Sequence, residues 1–95
     1  MGILIVEDER RFANLLADEL RGLNHKVSLV FNGERALEEL KKTSYDVVLS
    51  DIRMTPIDGI ELLKRVKSRW PEIEVVMMTA YASVETAVGA LRFGA

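Results

Sequence analysis

The sequence predicts an α/β domain of repeating βα units, with a parallel sheet covered by helices on both faces. Two observations predict it. Short, wholly apolar runs of the kind buried on both sides of a parallel sheet recur along the chain. Between them, apolar residues return at helical spacing among charged ones, over stretches of about 10–15 residues.

Each element has its own signal. Ile3-Leu4-Ile5-Val6 is the first strand. Phe12, Leu15, Leu16, Leu20 and Leu23 follow as the apolar stripe of a first helix, broken at Gly22-Leu23-Asn24-His25. Val27 to Phe31 is a β-rich run, and Asn32-Gly33 punctuates before a shorter helix marked by Ala36, Leu37 and Leu40. Asp46-Val47-Val48-Leu49-Ser50 is the third strand. A loop with Thr55, Pro56 and Asp58 leads to a third helix carrying Ile60, Leu63, Val66 and Trp70, which Pro71 stops. Glu74 to Met78 is the fourth strand, and Ser83 is placed to N-cap a fourth helix with Val84, Ala87, Val88 and Leu91. The order is βαβαβαβα with right-handed crossovers, three layers deep. No linker, repeat of fixed period or low-complexity run interrupts it, so residues 1–95 form one domain.

Composition narrows the function classes. The chain is 48% hydrophobic and 29% charged, which suits a packed domain better than a disordered one. Thirteen Lys and Arg against fifteen Asp and Glu leave a net charge of −2, so the chain lacks the basic footprint of a nucleic-acid binder. Without cysteine there is no disulfide framework, thiolate zinc site or cysteine nucleophile. A single histidine, His25, excludes a multi-histidine metal site and argues against a Ser-His-Asp triad. It reads as a surface or capping residue. No GxxxxGK[ST] loop is present, against a P-loop nucleotide site. No run approaches the roughly 18 apolar residues of a membrane span, and Met1-Gly2-Ile3 does not open a signal peptide. A cytoplasmic location without membrane contact is expected. Lys41-Lys42 and the group Lys64, Arg65, Lys67 and Arg69 read as solvated helix faces rather than an anion patch.

The polar residues at the strand ends carry the chemistry. Open α/β sheets bind ligands beyond the carboxyl ends of their strands, near a switch in strand order. Here the first strand ends in Glu7-Asp8, the third in Asp51 and the fourth in Thr79. If the first and third strands are neighbours, three carboxyl groups share one cleft, and their mutual repulsion raises carboxyl pKa values unless a cation relieves it. Magnesium, which takes oxygen ligands and needs only one or two protein carboxylates, fits such a cleft. Each residue also has an ordinary role open to it. Asp8 could N-cap the first helix, with Glu7 and Glu9 favouring its positive end. Asp51 could be a loop residue and Thr79 a β-favouring strand end. The joint placement at three strand ends favours a site.

Three stretches carry a family resemblance: ILIVEDE at the start, DVVLSDIRMTPIDG from Asp46 to Gly59, and VVMMTAYASVETAVGALRFGA from Val75 to Ala95. They resemble the receiver domains of two-component response regulators along the whole chain. The stretch TAYASVETAV is similar to receivers attached to sigma-54-dependent transcriptional activators. The resemblance implies a flavodoxin-like fold with strand order 2-1-3-4. It implies that Asp51 accepts a phosphoryl group from a sensor histidine kinase in a magnesium-dependent reaction. Asp8, Asp51 and the backbone carbonyl of Arg53 would hold the metal, with Glu7 acting in the same pocket through water. Thr79 would hydrogen-bond the phosphoryl oxygen, and the modified domain would switch an output such as transcription.

Two departures from the family pattern stand out. Thr55 occupies the place after Met54 where the family commonly has proline, and Pro56 follows; this alters a turn and moves no carboxylate. The chain also stops at Gly94-Ala95, where the family continues into a fifth strand and helix that supply a phosphoryl-contacting lysine and a switch aromatic. From that end the expectation is slow or undetectable phosphorylation, weakened switching, and association into a homodimer through the first helix and the bare sheet face or fourth-strand edge, or by borrowing equivalent elements from another chain. Two other readings stay open: a phosphorylation-incompetent dimerisation module, and a magnesium-dependent phosphatase-like enzyme using Asp51 as nucleophile. Against the last, no connection is long enough to form a substrate cap.

Overall fold

A computed structural model describes residues 1–51 and 59–78. Within them, β1 (Gly2–Val6), β2 (Lys26–Val30), β3 (Val47–Asp51) and β4 (Glu74–Met78) form one parallel sheet in the order β2-β1-β3-β4. Helices α1 (Arg10–Gly22), α2 (Gly33–Lys42) and α3 (Gly59–Arg69) connect them. The expected order 2-1-3-4 is met. The proposed fourth helix with Ser83, the loop of Thr55, Pro56 and Asp58, and the positions of Arg53 and Thr79 lie outside the described residues.

Alternation along β1 explains the three layers. Ile3 and Ile5 point to the face covered by Leu16, Ala17 and Leu20 of α1, with Leu49, Val76 and Met78 beside them. Leu4 and Val6 point to the other face, under Ala36 and Leu40 of α2 and Leu62 and Val66 of α3. Successive strand residues face opposite sides, so a run buried on both must be apolar throughout, as β1 is. The connection from β1 to β2 runs one way along the sheet, and those from β2 to β3 and β3 to β4 run the other. With a constant crossover hand, α1 must lie on one face and α2 and α3 on the opposite one, as observed.

The helix stripes differ from the sequence reading in detail. In α1 the buried line is Ala13, Leu16, Ala17 and Leu20, while Leu15 and Leu23 are 57% and 55% exposed. Close packing of a helix on a sheet favours small residues in the contact line, so two alanines replace the expected leucines. In α3 the buried residues include Leu62 and Val66, whereas Ile60 is exposed and Trp70 half-buried. The break after α1 is a Schellman turn: His25 N–H donates to Leu20 O at 3.2 Å and Asn24 N–H to Arg21 O at 3.0 Å. Asn24, not Gly22, takes the left-handed backbone, with φ of 70°. Asn32 caps α2, its side-chain oxygen accepting from Arg35 N–H at 2.8 Å.

Candidate functional site

The sheet topology brings two strand ends together. The β1–β3 register pairs Val6 with Ser50, so Glu7 and Asp51, one residue further on each, emerge side by side. This is the point where the chain reverses its progress across the sheet, the usual place for a ligand crevice. Glu7 is anchored on its other side by its N–H, which donates to Val30 O at the end of β2 at 3.1 Å. Asp8 follows in the turn before α1. Carboxylate oxygens of Glu7, Asp8 and Asp51 lie within 4.8 Å of one another.

The three differ in environment. Glu7 and Asp51 are each only 4% exposed, while Asp8 is open to solvent. Burial is the main reason that the Glu7 carboxyl is pushed up to about 7 from an ordinary 4.5. Glu9 N–H, donated to Glu7 Oε2 at 2.8 Å, works in the opposite direction. The charge of Asp51 and hydrogen bonds shared with Asp8 and Asp51 push it further up. Without a cation the cleft thus reduces its own repulsion by keeping a proton.

One expected alternative role goes elsewhere. Glu9 rather than Asp8 is the N-cap of α1, its side chain accepting from Arg11 N–H at 3.0 Å. Asp8 therefore remains available to the cleft. Beside it, the Arg10 guanidinium lies 4.0 Å from the centroid of the Phe31 ring, linking the start of α1 to the end of β2. The sequence reading missed this pair, because nothing local connects residues 10 and 31.

The donor set suits a hard divalent ion. Three carboxylates, two buried and one exposed, supply only oxygen and leave an open side where an ion can keep water. Buried carboxyls crowded enough to retain a proton are relieved by such a charge. The described part of the site comprises Glu7, Asp8 and Asp51; Arg53 and Thr79 fall outside it.

A parallel α/β domain with an acidic crevice at its switch point defines a small class of proteins, and comparisons with known ones place the chain within it. Residues 3–95 match the family model described as response regulator receiver domain, and the chain belongs to that family. It is 48% identical over 93 residues to the transcriptional regulatory protein ZraR of Klebsiella oxytoca. That match covers 98% of the chain and 21% of ZraR, so the chain spans about a fifth of the length of this relative. Among solved structures, the chemotaxis response regulator CheY4 of Vibrio cholerae superposes with a TM-score of 0.88 at 20% identity, covering 99% of this chain and 98% of that one; it shares the fold. The response regulator TrrA of Thermotoga maritima, solved in complex with Mg2+ and BeF, has a TM-score of 0.80 at 30% identity over 94% of this chain and 79% of its own. TrrA has also been solved in complex with the histidine kinase ThkA.

Proposed function

We propose that this receiver domain accepts a phosphoryl group on Asp51 from a sensor histidine kinase, with Mg2+ held by the carboxylate crevice. The observation that carries the reading is Asp51 itself, nine-tenths and more buried at the end of β3 and flanked by two further carboxyl groups. In the reaction an Asp51 carboxylate oxygen attacks the phosphorus of a phosphohistidine. The new P–O bond forms as the P–N bond breaks, and the imidazole leaves with the electron pair. Bound magnesium would supply charge neutralisation for the phosphoryl oxygens. Asp8 and Asp51, with the Arg53 carbonyl, would be its ligands, and Glu7 would act through water. The buried setting of Asp51 limits solvent access and keeps the nucleophile oriented by β3.

Support for the ion and the partner comes from TrrA, solved with Mg2+ and BeF and with its kinase. ZraR, a transcriptional regulator, supports a transcriptional output exerted through other parts of a longer protein. In this reading Thr79 hydrogen-bonds the phosphoryl group, and the domain is a signalling switch rather than an enzyme. It works in the cytoplasm, without touching nucleic acid or membrane itself; no helix among the described residues is long and apolar enough to cross a membrane. A homodimer through α1 belongs to the same proposal, supported by the exposed Leu15 beside Phe12. Incubation with acetyl phosphate and Mg2+ tests the core of it: one phosphoryl group should be added to the chain, and none to Asp51→Asn. Modification of that variant at the same rate would overturn the assignment.

A further inference from the structure

The basic residues of α2 and α3 are exposed, as solvated faces should be, and the fold sets several of them beside one another. The two helices lie side by side on one face of the sheet, and a groove of about 450 Å³ runs between them. Its floor is apolar, made by Leu37 and Trp70, both half-buried against the core of that face. Its rim is cationic: Lys41 comes from α2, and Lys64, Arg65 and Arg69 from α3. The Arg69 guanidinium lies 5.3 Å from the Trp70 ring centroid, joining rim to floor. Glu61 bonds Arg65 Nε at 3.1 Å from one turn away, yet no carboxylate among the described residues lines the groove. Lys67, by contrast, donates to the carbonyls of Pro71 and Ile73 and takes no part.

Four of the chain's thirteen Lys and Arg residues therefore surround one concavity, in a chain of net charge −2. Arg65 already has Glu61 as a partner, and the cluster as a whole still favours an anionic occupant. A compact anion such as phosphate would leave the apolar floor unused. A nucleic-acid duplex presents its phosphates on a convex ridge and cannot reach that floor. An acidic peptide uses both parts, placing an apolar side chain below and carboxylates above. A half-buried Trp with Arg beside it, inside a polar rim, is also a common composition of an energetic centre in a protein interface. The C-terminal ends of α2 and α3 lead into the N-terminal ends of β3 and β4, so the groove lies toward the sheet edge opposite Asp51.

We propose that the α2–α3 groove docks an acidic segment of a partner polypeptide. One apolar side chain seats between Leu37 and Trp70, and flanking carboxylates pair with Lys41, Lys64, Arg65 and Arg69. Trp70 is the sole tryptophan, so its fluorescence reports the groove directly. The probe is a synthetic peptide alternating Glu and Leu, titrated into the intact chain. A saturable change in Trp70 emission is expected, weakened about tenfold or more, the equivalent of about 1.4 kcal/mol, by replacing every Glu with Gln or every Leu with Ala. The double reversal Lys41→Glu and Lys64→Glu, both at exposed positions, should weaken it as much while leaving the circular dichroism spectrum and phosphorylation of Asp51 unchanged. No saturable change, or binding indifferent to that reversal, would overturn the proposal. So would a duplex DNA or anionic vesicle that displaces the peptide at lower concentration, since it would make that surface the occupant.

Discussion

Glu7→Gln is the substitution whose consequence follows most directly from the crevice. In the folded chain the Glu7 carboxyl is pushed up to about 7, against 4.5 when solvated. A carboxyl with a raised folded pKa binds its proton more tightly folded than unfolded. Its contribution to stability is therefore full below about pH 4.5 and is lost as pH rises towards 7, with no further change above. At about 1.36 kcal/mol per pKa unit, the gap amounts to about 3 kcal/mol. In metal-free buffer Glu7→Gln removes this term while keeping the acceptor for Glu9 N–H. The difference between wild type and variant reports the loss of the Glu7 proton together with its coupling to Asp8 and Asp51. That difference should move in favour of the variant by up to about 3 kcal/mol between pH 4.5 and 8. Each kcal/mol corresponds to roughly 4–8 °C in Tm for a domain of this size. Thermal melts in EDTA across that range are the assay. Parallel Tm curves for the two proteins would refute the proton-retaining crevice. Magnesium should then raise the wild-type Tm at pH 8 far more than at pH 4.5.

Three further outcomes are expected. Asp8→Ala should lose measurable magnesium binding by calorimetry while folding normally, since Asp8 is exposed and does not cap α1; unchanged affinity would remove it from the ligand set. Asn24→Val should cost about 1–2 kcal/mol in chemical denaturation, because a β-branched residue is forced into the left-handed region at φ of 70°; a neutral result would mean that the turn relaxes. Leu15→Glu should shift light scattering across a dilution series towards monomer if α1 forms the dimer, and an unaltered dimer would place the interface elsewhere.

Much of the fold was legible because a parallel sheet buried on both faces leaves few choices: residues 3–6 of β1 and 47–49 of β3 had to be apolar, and they are. The polar residues directly after them were equally visible, and Glu7, Asp8 and Asp51 do meet. What escaped depends on packing rather than pattern. Helical spacing alone could not tell that Ala13 and Ala17 would lie against the sheet and Leu15 against solvent. Glu9 as the cap of α1 was hidden because three consecutive acids compete for that role. The groove was invisible for a different reason. Lys41 and Lys64 sit on different helices, and only the return of both crossovers to one face brings them together.

The central claim is that Asp51 is the phosphoacceptor of a magnesium-dependent crevice, and site mapping of the modified chain tests it most directly. Acetyl phosphate with magnesium, followed by borohydride, converts an aspartyl phosphate to homoserine, which peptide mass spectrometry locates. Homoserine at position 51 alone, and only when magnesium is present, is the predicted result. Homoserine at position 8, or equal labelling of Asp51 in EDTA, would contradict it.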